Sequence, residues 1–162
     1  MHDAADLERL FDACFEQRCR TILRGDADEP LYTPARGDQP ARIDYRHDYF
    51  ASALHEVAHW CIAGVKRRQL LDFGYWYAPD GRTPEQQAMF EDVEGKPQAL
   101  EWIFADACGS RFVLSADNVE ADCGPTDSFG RAVDRHKAAW RARGLPARAA
   151  RFEAALRAFY GR

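Results

Sequence analysis

Two histidines and a glutamate near the middle of the chain have the residue types and the spacing of a metal site. They are His55, Glu56 and His59, in the order His-Glu-x-x-His. Because residues four apart lie on the same face of a helix, the two imidazoles can offer nitrogen atoms to one ion. Glu56 would lie close enough to a metal-bound water to exchange a proton with it. The segment therefore predicts a metal centre in which Glu56 is a catalytic residue.

A metal that does chemistry needs a third protein ligand and an open position. Residues 90–94, about 35 positions after the motif, contain acids that a second helix could bring back to the histidines. Glu94 ranks first because it directly precedes a predicted helix start at residues 95–97. The candidates for the third ligand, in order, are Glu94, Glu91 and Glu101, with His47 and His136 as further possibilities.

This set of ligands is compatible with three functions. Two histidines and one carboxylate suit a zinc ion that activates water for peptide hydrolysis, with Glu56 as the general base. They suit equally a non-haem Fe(II) that activates dioxygen. A fourth protein ligand would instead indicate a structural metal in a binding module.

Aromatic and acidic residues are concentrated near the candidate ligands. The aromatic set is Trp60, Tyr75, Trp76, Tyr77 and Trp102. The acidic set is Asp44, Asp48, Glu91, Asp92 and Asp117. Aromatic faces and carboxylates both attract cations, so the two sets would suit a substrate with a long cationic side chain. The predicted substrate-binding residues are Asp44, Asp48, Tyr75, Trp76, Tyr77, Glu91 and Asp117.

The elements that must position these residues follow from the hydrophobic spacing. Helical periodicity predicts helices over residues 7–24, 48–66, 84–90, 97–108, 129–143 and 147–160. Glycines at positions 25 and 109 are expected to end two of them. Short strands are predicted over residues 43–45, 73–77 and 112–114, with a loop at 26–40 and a turn at 79–81. The sequence thus predicts a mainly helical α+β fold in one domain, residues 1–162.

Composition narrows the functional class. The 162 residues are 46% hydrophobic and 30% charged, which excludes disorder and low-complexity fibres. The net charge of −4 argues against a nucleic-acid binder, which usually carries a basic surplus. No apolar run is long enough for a membrane span, and the acidic N-terminus is unlike a signal peptide. The five cysteines form no C-x-x-C pair, so we expect a reduced, cytoplasmic protein without a membrane partner.

Two blocks of sequence are more specific than the metal motif. Residues 72–82 are DFGYWYAPDGR and residues 90–100 are FEDVEGKPQAL. Residues 25–32, 50–64, 67–68, 115–118 and 146–148 extend the same likeness along most of the chain. In these segments the sequence resembles the elongation factor P hydroxylases of bacteria.

The resemblance implies a metal-dependent hydroxylase that adds oxygen to a lysine of elongation factor P after that lysine has received a β-lysyl group. It implies that His55, His59 and Glu94 are the metal ligands and that dioxygen is the co-substrate. The family resembles zincin-type metallopeptidases around the motif, so a zincin-like helix is expected there. No oxoglutarate clamp can be named in the sequence, and no oxoglutarate requirement is expected. The leading interpretation is an Fe(II) hydroxylase, with a zinc metallopeptidase as the alternative.

Overall fold

The computed structural model describes residues 1–75, 82–115 and 127–162, in which the chain forms five helices and three strands. The helices are α1 (Ala4–Cys19), α2 (Phe50–Ile62), α3 (Pro84–Cys108), α4 (Asp127–Arg143) and α5 (Ala147–Tyr160). The strands are β1 (Thr21–Ala27), β2 (Leu31–Thr33) and β3 (Ala41–Arg46). The predicted α+β class, dominated by helices, is confirmed. Within the described ranges, no helix combines the length and the hydrophobicity needed to cross a membrane.

The three strands form one sheet in the order β1-β3-β2. Strand β3 lies in the centre, parallel to β1 and antiparallel to β2. Its alternate residues Ala41, Ile43 and Tyr45 are buried, as expected for a strand with one face on the core. Helix α1 packs on β1, and α2 packs between β3 and α3. The sheet and α1 thus support α2 on the side away from the candidate metal centre.

The first predicted helix is too long. Helix α1 ends at Cys19, Arg20 has a left-handed backbone (φ 47°), and residues 21–27 form β1. Pairing with β3 satisfies the backbone of this segment, and the sequence gives no sign of that distant partner. Gly25 is therefore not a helix stop. It lies within β1, where an added Cβ would come within 2.7 Å of the His47 carbonyl oxygen.

The second predicted helix ends four residues early. Helix α2 stops at Ile62, and Ala63 is extended. The Ala63 carbonyl oxygen accepts hydrogen bonds from Arg68 and Arg148, so these arginines satisfy the helix end. Val65, an apolar residue within the predicted helix range, lies beyond the helix end and is 65% exposed.

Residues 84–108 form one helix rather than the two that were predicted. Helix α3 begins with a capping box between Thr83 and Gln86 and ends at Gly109, as expected. Pro97 lies inside the helix and is buried. The stabilisation from packing therefore outweighs the loss of the backbone hydrogen bond that a proline cannot donate. Glu94 consequently lies in the middle of a helix and does not precede a helix start.

The remaining secondary-structure predictions are confirmed for some elements and wrong for others. Strand 43–45 and the last two helices are confirmed, with α4 beginning two residues early. The predicted loop at 26–40 contains β2 and the end of β1. Residues 71–74 form a 3₁₀ turn rather than a strand, and residues 112–114 have no regular structure. Residues 76 and 77 and the predicted turn at 79–81 lie outside the described residues.

Candidate metal centre

Helix α2 presents His55 and His59 on the face opposite to its core residues. Leu54, Val57 and Ala58 are buried in the core, which fixes the rotation of the helix about its axis. The two histidines are one turn apart, and their Nε2 atoms are 3.2 Å from each other. Their side chains are 23% and 11% exposed, because both line an open cavity of about 510 Å³.

Helix α3 brings Glu94 to the same point. Its Oε1 lies 2.9 Å from His59 Nε2, and its Oε2 lies 3.2 Å from His55 Nε2. The side chain is only 4% exposed. His55, His59 and Glu94 are the one group of three or more potential metal ligands found in the described part of the chain, with all ligand atoms within 4.8 Å of one another.

The spacing of these atoms matches the requirements of a metal ion. Two ligand atoms bound at about 2.0–2.2 Å, at angles between a right angle and a tetrahedral angle, lie about 2.8–3.6 Å apart. The three separations, 2.9, 3.2 and 3.2 Å, fall in that range. Two imidazole nitrogens and a carboxylate suit Fe(II) as well as Zn(II). The residues present therefore fit a bound divalent metal.

Glu101 lies behind His55 rather than on the ligand side. Its Oε1 is 2.7 Å from His55 Nδ1, so the ring donates this hydrogen bond and keeps the Nε2 lone pair available for an ion. The sequence ranked Glu101 as a third-choice ligand and missed this orienting position. The available signal was its spacing of seven residues from Glu94, which puts both carboxylates on one face of α3.

Charge at the site favours a cation. Burial by itself lowers the pKa of His55, but Glu94 and Glu101 outweigh burial and hold that pKa well above its ordinary value. Burial by itself raises the pKa of Glu94, but His59 and His55 hold it well below its ordinary value. Two carboxylates thus stabilise positive charge at the point where the imidazoles meet.

Glu56 lies beside the two histidines and lines the same cavity. Burial raises the pKa of its carboxyl group, and the neighbouring His55 and His59 oppose that effect only in part. A carboxyl group with a raised pKa binds a proton more readily than an ordinary glutamate and can return it. The proton-transfer role expected from the motif stays a prediction.

The cavity wall also contains a strained turn. Asp72, Phe73 and Gly74 all have a left-handed backbone, with φ values of 50°, 60° and 75°. Such a conformation costs free energy at non-glycine residues and is common at functional sites. Asp72 and Phe73 line the cavity, and the Phe73 ring is nearly parallel to His59 at 6.5 Å between centroids. No pattern in the sequence predicts a role for either residue.

Two further contacts shape the wall. Tyr75 lines the cavity and has the Arg67 guanidinium 4.0 Å above its ring. Gln98, one turn after Glu94, hydrogen-bonds to both backbone groups of Ser115, which also lines the cavity. These hydrogen bonds attach Ser115, the last residue of the described range 82–115, to helix α3.

The predicted substrate-binding residues are dispersed. Tyr75 lines the cavity, whereas Asp44, Asp48 and Glu91 are not among its described lining residues. Asp44 is paired with Arg42 at 2.7 Å, and Asp48 is exposed in the turn before α2. Trp76, Tyr77 and Asp117 lie outside the described residues. Among the other candidates, Trp60 is part of the core and Trp102 stacks on Phe112.

A mainly helical α+β fold that brings two histidines and one glutamate together in an open cavity is typical of mononuclear metal enzymes. No fourth ligand belongs to the cluster in the described part of the chain, so the requirement for a structural four-ligand site is not met there.

The comparisons with known proteins identify the family. The family model described as elongation factor P hydroxylase matches residues 10–162. The elongation factor P lysine hydroxylase of Haemophilus influenzae is 48% identical over 160 residues, which cover 98% of this chain and 90% of the relative. The chain therefore belongs to the elongation factor P hydroxylase family, as its sequence blocks predicted.

Proposed function

We propose that this chain hydroxylates the β-lysylated lysine of elongation factor P at a metal centre formed by His55, His59 and Glu94. The family match supports hydroxylation of that factor rather than peptide hydrolysis. The observation that carries the proposal is the convergence of three metal-ligand side chains within 4.8 Å in a cavity that can admit a side chain. Residues 1–162 would act as a single metal-dependent hydroxylase domain, in the cytoplasm.

We assign Fe(II) as the metal. Bound by these three side chains, it would supply a site where dioxygen is activated. The overall reaction inserts one oxygen atom into a C–H bond and releases the other as water, which consumes two electrons and two protons. Protein groups must therefore deliver protons at the site, and a reductant must supply the electrons.

The roles of the surrounding residues follow from their contacts. Glu101 fixes the His55 ring through the 2.7 Å hydrogen bond, so that Nε2 points to the metal position. Glu56 would hold or transfer a proton at its carboxylate, consistent with its raised pKa. Burial of Glu94 at 4% exposure keeps water from competing for its oxygens.

Recognition of the substrate requires negative charge away from the metal, because a metal cation repels a β-lysylated lysine. Asp72 is an acidic residue of the cavity wall that belongs to neither the metal cluster nor its hydrogen bonds, so we propose it as a binding residue for the substrate ammonium group. Tyr75, together with Trp76 and Tyr77, would cover the methylene stem. Roles for Asp44, Asp48, Glu91 and Asp117 stay predictions.

The proposal is tested by mass spectrometry of the substrate. Purified protein loaded with Fe(II) is incubated with β-lysylated elongation factor P, a chemical reductant and air. We expect one added oxygen atom on the modified lysine, and none under anaerobic conditions or with metal-free protein. A Glu85→Gln variant, altered at an exposed glutamate of α3, serves as a matched control for Glu56→Gln, which we expect to be slower. An unchanged substrate mass with Fe(II), air and reductant present would contradict the proposal.

A further inference from the structure

A second cavity, of about 560 Å³, lies near the C-terminal end of α2 and shares no lining residue with the metal cavity. Four arginines line it: Arg18, Arg36, Arg68 and Arg148. None of its described lining residues is acidic. In the part of the chain that the structure describes, no ion pair joins any of the four to a carboxylate. The cavity therefore concentrates positive charge in a protein whose net charge is −4.

Capping of α2 explains only part of this arrangement. Arg68 Nη1 and Arg148 Nη2 both donate to the Ala63 carbonyl oxygen, at 2.5 and 2.6 Å. A helix C-terminus carries only about half a negative charge, so it cannot balance four guanidinium groups. Burial and the neighbouring Arg68 both lower the pKa of Arg148, which shows that its charge is poorly compensated. Arg18 and Arg36 are exposed and do not contribute to the cap.

Two buried donors at the cavity also lack acceptors. Arg148 Nη1 and Trp60 Nε1 have no hydrogen-bond partner among the described residues. Trp60 is 1% exposed and lines the cavity, with the Arg148 guanidinium 4.3 Å above its ring. Buried donors are usually hydrogen-bonded, so two without a partner beside the cavity indicate a place for an additional acceptor.

We propose that this cavity binds the phosphate group of a small anion. A carboxylate brings one charge and two oxygens, whereas a phosphate brings up to two charges and at least three oxygens for the planar guanidinium forks. The volume exceeds that of a bare phosphate and allows an attached organic group. The site is separate from the metal centre, so the proposal does not depend on the hydroxylase reaction.

The test is calorimetric titration of the full-length, metal-loaded protein at constant ionic strength, with inorganic phosphate in one arm and glycerol 3-phosphate in the other. We expect saturable binding, about tenfold weaker in an Arg18→Gln/Arg36→Gln variant. Both side chains are exposed, so this variant is expected to fold normally. Arg131→Gln/Arg135→Gln, altered at two exposed arginines of α4, removes the same two charges elsewhere and should bind phosphate at the wild-type level. Tighter binding of the monoester would identify an organic phosphate as the ligand, and equal binding would identify free phosphate.

A third variant separates this site from phosphate bound to the metal. His59→Ala, which removes a proposed metal ligand, should still bind phosphate. The proposal is overturned if neither anion binds at millimolar concentration, or if Arg131→Gln/Arg135→Gln loses as much affinity as Arg18→Gln/Arg36→Gln. It is also overturned if binding is lost in His59→Ala but kept in Arg18→Gln/Arg36→Gln.

Discussion

The proposed metal centre depends on two imidazoles whose Nε2 atoms are 3.2 Å apart. We expect His55→Ala or His59→Ala to abolish stable metal binding, because loss of one of three ligands should cost about 3 kcal/mol or more of metal affinity. The fold should survive, since the core residues of α2 are on the opposite face. Metal analysis after gel filtration, with circular dichroism, measures both effects. His136→Ala, at a histidine outside the cluster, should keep its metal, and full occupancy in either cluster variant would refute the ligand assignment.

Glu101 is a positioning residue in this account, because it acts through His55. Glu101→Ala should weaken metal binding by about 10–100-fold, since the ring loses the acceptor that sets its tautomer and orientation. Glu101→Gln keeps an acceptor oxygen and should recover part of the affinity. Competition with a metal chelator gives the affinities. If both variants bind metal as tightly as wild type, the hydrogen bond at 2.7 Å between Glu101 and His55 does not contribute to metal affinity.

The sequence identified the histidines from a local pattern, because four-residue spacing on one helix is visible without tertiary structure. The sequence favours Glu94 as the third ligand because of a predicted helix start at residues 95–97. That helix start does not exist, since Glu94 lies inside α3. Its approach to the histidines depends on how α3 packs on α2. The same packing decides that Glu101 lies behind the ring, and Asp72 enters the cavity through an unusual backbone turn. None of these placements can be derived from spacing alone.

Helix α3 carries the carboxylates as one unit of 25 residues, where the sequence predicted two helices. Gly95 and Pro97 are ordinarily signals of a helix boundary, but both are buried in the middle of α3. Gly95 lies against the His136 ring of α4, where an added Cβ would be 3.1 Å from the ring. Tertiary packing therefore overrides local preference here, as it does where β1 replaces the end of the first predicted helix.

The start of α3 offers a test at the level of this element. Thr83 Oγ1 accepts a hydrogen bond from the Gln86 N–H at 3.2 Å, and Gln86 Oε1 accepts one from the Thr83 N–H at 2.9 Å. Thr83→Ala should lower the free energy of unfolding by about 1 kcal/mol, whereas Thr83→Ser keeps the cap. Urea titration measures the difference. Equal losses in the two variants would mean that the cap hydroxyl does not stabilise the helix.

For the molecule as a whole, the distribution of charge bears on substrate choice. The acidic metal cavity and the net charge of −4 favour a cationic side chain. Elongation factor P with the extended lysine should be hydroxylated faster than the unmodified protein, and the advantage should shrink as salt screens exposed charge pairs. Initial rates at low and high salt provide the measurement. Asp72→Asn should reduce the advantage, with Asp134→Asn, at an exposed aspartate of α4, as the control. Equal rates for both substrates at every salt concentration would show that charge does not select the substrate.

The most direct test of the central claim joins the proposed ligands to the proposed chemistry. Fe(II)-loaded protein is incubated with β-lysylated elongation factor P and reductant under isotopically heavy dioxygen. The mass of the peptide that carries the modified lysine is then measured by mass spectrometry. We predict that wild type and Glu91→Gln add one heavy oxygen atom, whereas Glu94→Gln adds none, because Glu94 contacts both histidines, at 2.9 and 3.2 Å. Failure of the wild type to incorporate heavy oxygen, or incorporation by Glu94→Gln at the wild-type rate, would contradict the account.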